Sequence, residues 1–373
     1  MTRRPHRDEA PKAPKDTPVN STVVPFDSDT SPALLERLGH LDVPERWKTV
    51  DRSAQSPHLV AVPGSDGGQW FAAALVTARP HTAYLKIVDA VGDAPAAAAA
   101  VVEHGRRQGL AQVKWEGWTA DHEAAATAGF VPLSLPLTQS ATEDGPASGY
   151  VRWLHDAAVP EPPYYGQTTH FTCGAVTALI AQTHMGTLAR GDLDREAELT
   201  LWRDATNFPA CEPVGLGVAV RRAWPTSAVT IHLDTDEPVL LDHLPAEEQE
   251  WRALLQRTSR TQAARIGVPV DARRLSITDI RTTLDRRESV LLLVSLADML
   301  GFDVPHWVLC HGTVPGAVVI EDPWANASNG DTWVDAHLLP VADASLDAMA
   351  AVSAERARGA VTIGRSPAPL PES

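Results

Sequence analysis

Residues 164–175, Tyr-Tyr-Gly-Gln-Thr-Thr-His-Phe-Thr-Cys-Gly-Ala, constrain this chain more than any other stretch. Gly166 allows a loop that delivers Gln167, and Cys173 follows six residues later. Beyond the cysteine, Val176, Leu179 and Ile180 recur at helical spacing. Cys173 therefore belongs at a helix N-terminus, where unpaired backbone N–H groups and the helix dipole favour a thiolate. The same N–H groups can hold an oxyanion, and Gln167 can aim its side-chain amide at it.

Two later segments supply possible partners. Residues 304–312 (Val-Pro-His-Trp-Val-Leu-Cys-His-Gly) and 318–324 (Val-Val-Ile-Glu-Asp-Pro-Trp) flank Thr313-Val314-Pro315-Gly316, a turn signal. They read as a hairpin. A turn centred on Val314 sets His306 opposite Asp322, and a centre one or two residues later slips the pairing by about three residues. Either way the two side chains can meet. Asp322 would then hold the imidazole tautomer, and His306 would activate Cys173.

His306 lies 133 residues after Cys173, within the roughly 130–150 of papain-like enzymes. Residues 167–174, 306–312 and Asp322-Pro323-Trp324 resemble the peptidase C39-like family of papain-fold cysteine peptidases, over roughly residues 160–345. The resemblance implies Cys173 as nucleophile, His306 as base, Asp322 as its orienting carboxylate and Gln167 as the oxyanion-hole glutamine. It implies a cysteine peptidase or amidohydrolase. The alternatives are an acyltransferase that passes the thioester acyl group to an amine, and a non-catalytic peptide-binding protein. One departure is Thr172, where bacteriocin-processing members carry an acidic residue. Such members are also often fused to a membrane transporter. Here the longest strongly apolar run is 290–294, far short of a membrane span, so leader cleavage during export is not expected.

Other residues of the right chemistry sit less favourably. His311 alternates to the other strand face from His306, and His170 points off the entry loop. Asn326 is a weaker substitute for Asp322. Trp307 and Trp324 read as core or cleft wall, Cys211 and Cys310 as buried, inert thiols. Residues 202–215 read as a helix exit and packed loop. Glu247, Glu248 and Glu250, near Arg252 and Arg257, read as a solvated helix face.

Composition narrows the partners. A net charge of −15 argues against nucleic acid and anionic membranes, and the resemblance implies a peptide or amide substrate. Three widely spaced cysteines fit a reducing compartment rather than a disulfide scaffold. Neither CxxC nor HExxH occurs, so no metal and no cofactor is expected. The N-terminus lacks the apolar segment of a secretory signal, and the expected location is cytoplasmic.

The expected organisation is a polar tail (1–30), an α/β unit (31–137), a linker (138–149), an α+β peptidase-like unit (150–355) and a C-terminal tail (356–373). In the second unit, helices are expected first and an antiparallel sheet afterwards. The first reads β-β-β-α-β-α-β, with a turn at 64–68 and a last strand at 130–137. Residues 70–137 resemble the GNAT acetyltransferase fold. A working member needs a glycine-rich loop whose amides bind pyrophosphate. The corresponding Val91-Gly92-Asp93-Ala94-Pro95-Ala96 has one glycine, a repelling Asp and a Pro without an N–H. A degenerate unit that does not bind acetyl-CoA is expected.

Overall fold

The computed structural model describes residues 20–27, 32–39, 41–65, 68–118, 120, 122–138, 145–205, 210–242, 244–352 and 356–365. Its first seven strands are β1 (Thr22–Pro25), β2 (His58–Pro63), β3 (Trp70–Thr77), β4 (Tyr84–Gly92), β5 (Gln112–Glu116), β6 (Val131–Pro132) and β7 (Gly149–Trp153). They form one sheet in the order β1-β2-β3-β4-β5-β7-β6. The β4–β5 pair is parallel, so the chain must cross over between them. It does so through helix α1 (Ala94–Arg107), which buries Ala97, Ala98, Val101 and Val102 against Val60, Ala74, Ile87 and Val113.

The second sheet takes β8 (Ser227–Leu233), β9 (Val270–Asp271), β10 (Ser289–Ser295), β11 (Pro305–Val314), β12 (Ala317–Glu321), β13 (Leu339–Ala342) and β14 (Gly359–Arg365). Their order is β13-β12-β11-β10-β14-β8-β9. The apolar run 290–294 lies in β10, and alternation divides it between two cores. Leu291 and Leu293 pack with helices α2 (Cys173–His184) and α3 (Pro213–Ala223). Val290, Leu292 and Val294 pack with Ile280, Leu284 and Leu346 on the other face. A strand covered on both faces has no polar side, which explains the unbroken apolar run.

Several expectations change. The strand expected at 130–137 shrinks to Val131–Pro132, because Pro132 and Pro136 have no N–H to donate to a ladder. Residues 139–144 of the expected linker, Asp66 and Gly67 of the expected turn, and residues 1–19 and 28–30 of the expected tail lie outside the described residues; Thr22–Pro25 of that tail is strand β1, paired with β2. Gly149–Trp153 is no part of the second unit. It joins the first sheet, with Tyr150 opposite Trp115 and buried in that core. The expected C-terminal tail contains β14, inserted between β10 and β8. Val361 and Ile363 fall in one core and Ala360 in the other, so burial on both faces draws this segment into the sheet. Residues 366–373 lie outside the described residues.

The two halves meet across buried charge. Lys86 and Lys114 are register partners on the parallel strands β4 and β5, and both are fully buried. Like charges placed opposite each other repel, and the two lysines differ in their partners. Lys86 pairs with Asp335 and Glu116. Lys114 donates to the carbonyls of Asp335 (2.9 Å) and His337 (2.6 Å). Burial pushes its ammonium down to about 7, against the pull of Asp335 and Glu321.

Candidate active site

Cys173 is the first residue of α2, with Thr172 at the N-cap. The loop before it is pinned by one buried carboxylate. Glu198 accepts the Thr168 N–H (2.8 Å), the Tyr165 hydroxyl (3.0 Å) and the Thr172 hydroxyl. No local pattern announces this clamp, because Glu198 lies on a separate helix, Arg195–Ala205. Thr177 on α2 donates to the Trp307 carbonyl (3.1 Å), fixing the helix against β11.

His306 enters from the start of β11 and Asp322 from the residue after β12. The hairpin turn is Pro315-Gly316, with Val314 paired to Ala317, and the register shifts at a bulge between Cys310 and Gly312. Leu309 pairs with Glu321, so continuing that register sets Trp324 opposite His306 and leaves Asp322 diagonal to it. The diagonal is bridged: His306 Nε2 lies 2.7 Å from Asp322 Oδ1, which also accepts the Trp324 N–H at 2.9 Å.

The same imidazole and the Cys173 thiol act on each other's charge. Burial pushes that thiol up, but His306 and the N–H groups of Trp307 and Gly174 outweigh it, and it is held below the ordinary thiol range. Burial likewise opposes the His306 cation, yet Asp322 and Cys173 push it up to about 10. Asp322 is held low by His306 and Arg79 in spite of burial. The arrangement thus favours a thiolate–imidazolium pair backed by a carboxylate.

Gln167 is tied to the same place. Its N–H donates to the Pro323 carbonyl at 2.7 Å, joining the glutamine loop to the Asp322 segment. Its Nε2 donates to Thr169 O at 2.8 Å, which leaves a second side-chain N–H for another acceptor. A cavity of about 230 Å³ opens beside it, lined by Tyr164, Gln167, Trp324, Asp331 and Trp333 among others. A larger cavity of about 460 Å³, among His232, Arg273, Arg274 and Glu288, contains none of the candidate residues.

The rivals are placed elsewhere. His311 lies 3.4 Å from Glu321 and stacks near His184, at the far end of α2 from Cys173. That end is roughly 16 Å away at the helical rise. His170 is exposed. Asn326 turns to Ser328 and Asp331 rather than to His306. Trp307 is buried and donates to the Cys211 carbonyl (3.0 Å), whereas Trp324 stands 6.5 Å from the His306 ring. Burial pushes the Cys211 and Cys310 thiols well above the ordinary range. Of 202–215, residues 206–209 lie outside the described residues. Trp202 packs on Phe171, two residues before Cys173. Glu248 pairs with Arg252 on a surface helix.

These features make a candidate thiol site on a mixed α/β frame. Residues 162–364 match the family described as Peptidase_C39 like, and the chain belongs to that family. None of the curated proteins matches it in sequence. Among solved structures it is similar to a C39-like peptidase from Bacillus anthracis, at 10% identity and a TM-score of 0.29, covering 57% of this chain and 100% of that one. It is also similar to the ribosomal-protein-S18-alanine N-acetyltransferase from Escherichia coli, at 14% identity and a TM-score of 0.26, covering 37% of this chain and 97% of that one. Both structural likenesses are weak. Among the described residues no helix is long and apolar enough to cross a membrane.

Proposed function

We propose that this protein is a thiol hydrolase of peptide or amide bonds, with Cys173 as nucleophile, His306 as acid and base, Asp322 as the orienting carboxylate and Gln167 as an oxyanion donor. The observation that supports this reading is the buried set Cys173, His306 and Asp322, in which His306 lies 2.7 Å from Asp322 and its charge holds the thiol low. The Cys173 thiolate attacks the carbonyl carbon and forms a C–S bond. Negative charge moves to the oxygen, facing the Gln167 amide and the Cys173 N–H. His306 gives its proton to the leaving nitrogen, the C–N bond breaks, and a thioester remains. Water then attacks with His306 as base, and breaking the C–S bond releases the acid and restores the pair.

Iodoacetamide at pH 6 should modify Cys173 at least about tenfold faster than Cys211 or Cys310, since thiolate character governs the rate. With a mixed peptide library as substrate, Cys173→Ala should lower hydrolysis by about 10⁴-fold or more. Equal labelling of the three thiols, or undiminished hydrolysis by Cys173→Ala, overturns the reading.

A further inference from the structure

We infer that Arg79, carried by the loop after β3 of the first sheet, is a positioning residue for Asp322, so that the first half of the chain completes the thiol site. The inference rests on the thiol-hydrolase reading above. Arg79 is buried to 1% exposure. Its Nη1 donates to Asp322 Oδ2 at 2.6 Å, the oxygen that His306 does not use. Its Nη2 lies 3.1 Å from Asp331 Oδ2 and donates to Trp324 O at 3.2 Å. One planar guanidinium therefore holds three points of the segment that carries Asp322, and an arginine fork loses little freedom in doing so.

The loop that delivers Arg79 is itself anchored to the second sheet. Thr82 bridges to Val341, and the Ala83 N–H donates to Pro340 O at 2.8 Å. Gln55, also from the first half, hydrogen-bonds Asp331. Burial disfavours the charged guanidinium, but Asp331 and Asp322 outweigh it. The charged and titratable groups facing Arg79 are Asp331, Asp322, Tyr84 and Asp335. Those facing Asp322 are His306 and Arg79, with Tyr164 beyond. Removing the arginine's charge lets Asp322 bind a proton more readily. A protonated Asp322 no longer supports the His306 cation, and the Cys173 thiolate loses its partner at acid pH.

The test is the rate of Cys173 alkylation by iodoacetamide between pH 4 and 9, read by peptide mapping. Arg79→Met should move the acid limb up by about one unit, a roughly tenfold slower reaction at pH 5. Arg79→Lys keeps the charge and should show a smaller shift. Where Arg79→Met does not fold, Arg79→Met/Asp331→Asn removes one charge of each sign and should show the full shift. A merely structural arginine would lower the melting temperature and leave the limb where it is. A variant profile that superimposes on the wild type overturns the role of Arg79. A wild-type Cys173 no more reactive at pH 6 than Cys211 and Cys310 overturns the hydrolase reading, and this inference with it.

Discussion

Glu321 and Asp322 are neighbours in the chain, and each is bonded to a histidine: His337 Nδ1 at 2.8 Å and His306 Nε2 at 2.7 Å. The two pairs differ on the far side of the ring. His337 meets a second carboxylate, Glu161, at 2.8 Å. His306 meets a thiol. An imidazole between two carboxylates is pinned as a cation, and Glu321 with Glu161 pushes it up to about 8 although burial opposes this. It has no reactive group to pass a proton to. An imidazole between a carboxylate and a sulfur can take a proton and return it. One motif, a histidine beside an acid, thus yields a strut on one face of the strand and a candidate relay at its end.

Substitutions at the two histidines separate these roles most widely. His306→Gln should lower hydrolysis of the peptide library by about 10⁴-fold and change stability much less. His337→Gln should leave kcat/KM within about threefold and, by stranding the buried Glu321 carboxylate, lower the unfolding free energy by about 3–5 kcal/mol in urea titrations. Comparable activity losses in both would dissolve the distinction. The neighbouring acids come next: Asp322→Asn should cost roughly a thousandfold in kcat, and Glu321→Gln should act on stability alone.

The pH dependence of folding follows from His337. Its folded pKa, about 8, lies above the unfolded value. Its contribution is therefore complete below about pH 6.5 and is lost as pH rises through about 8, a change on the order of 2 kcal/mol. His306 adds a loss that extends to about 10, so the difference between wild type and His337→Gln isolates the first. Parallel curves for the two proteins would assign the stabilisation elsewhere. The smallest effect concerns Asp93, whose side chain accepts the Ala96 N–H at 2.9 Å. Asp93→Ala should cost about 1 kcal/mol of stability as a lost N-cap and should leave Cys173 alkylation unchanged.

Much of the candidate site was legible because its signals are local. A glycine loop, a cysteine before a helical run and a Pro-Gly turn each state their own geometry, and together they bring Gln167, Cys173, His306 and Asp322 to one place. Of the two hairpin readings, the later turn centre holds, with an offset of two residues at His306 rather than about three, and the diagonal reach bridges it. Arg79 and Glu198 were not legible. Arg79 acts on a residue 243 positions away, and no periodicity encodes such a meeting. The one trace was lysine inside apolar strands, at Lys86 and Lys114, which marks a sheet face covered by charge rather than by oil. The strand Gly359–Arg365 was hidden for a related reason. Two glycines weaken its pattern, and burial between β10 and β8 overrides that weakness.

The place of that strand has a consequence for synthesis. Both of its neighbours leave the ribosome long before it does, and each waits with an open hydrogen-bonding edge. A chain cut short before Gly359 would carry sulfur, imidazole and carboxylate on a sheet split through its middle. Premature termination therefore leaves two half-sheets with facing open edges in place of one continuous sheet.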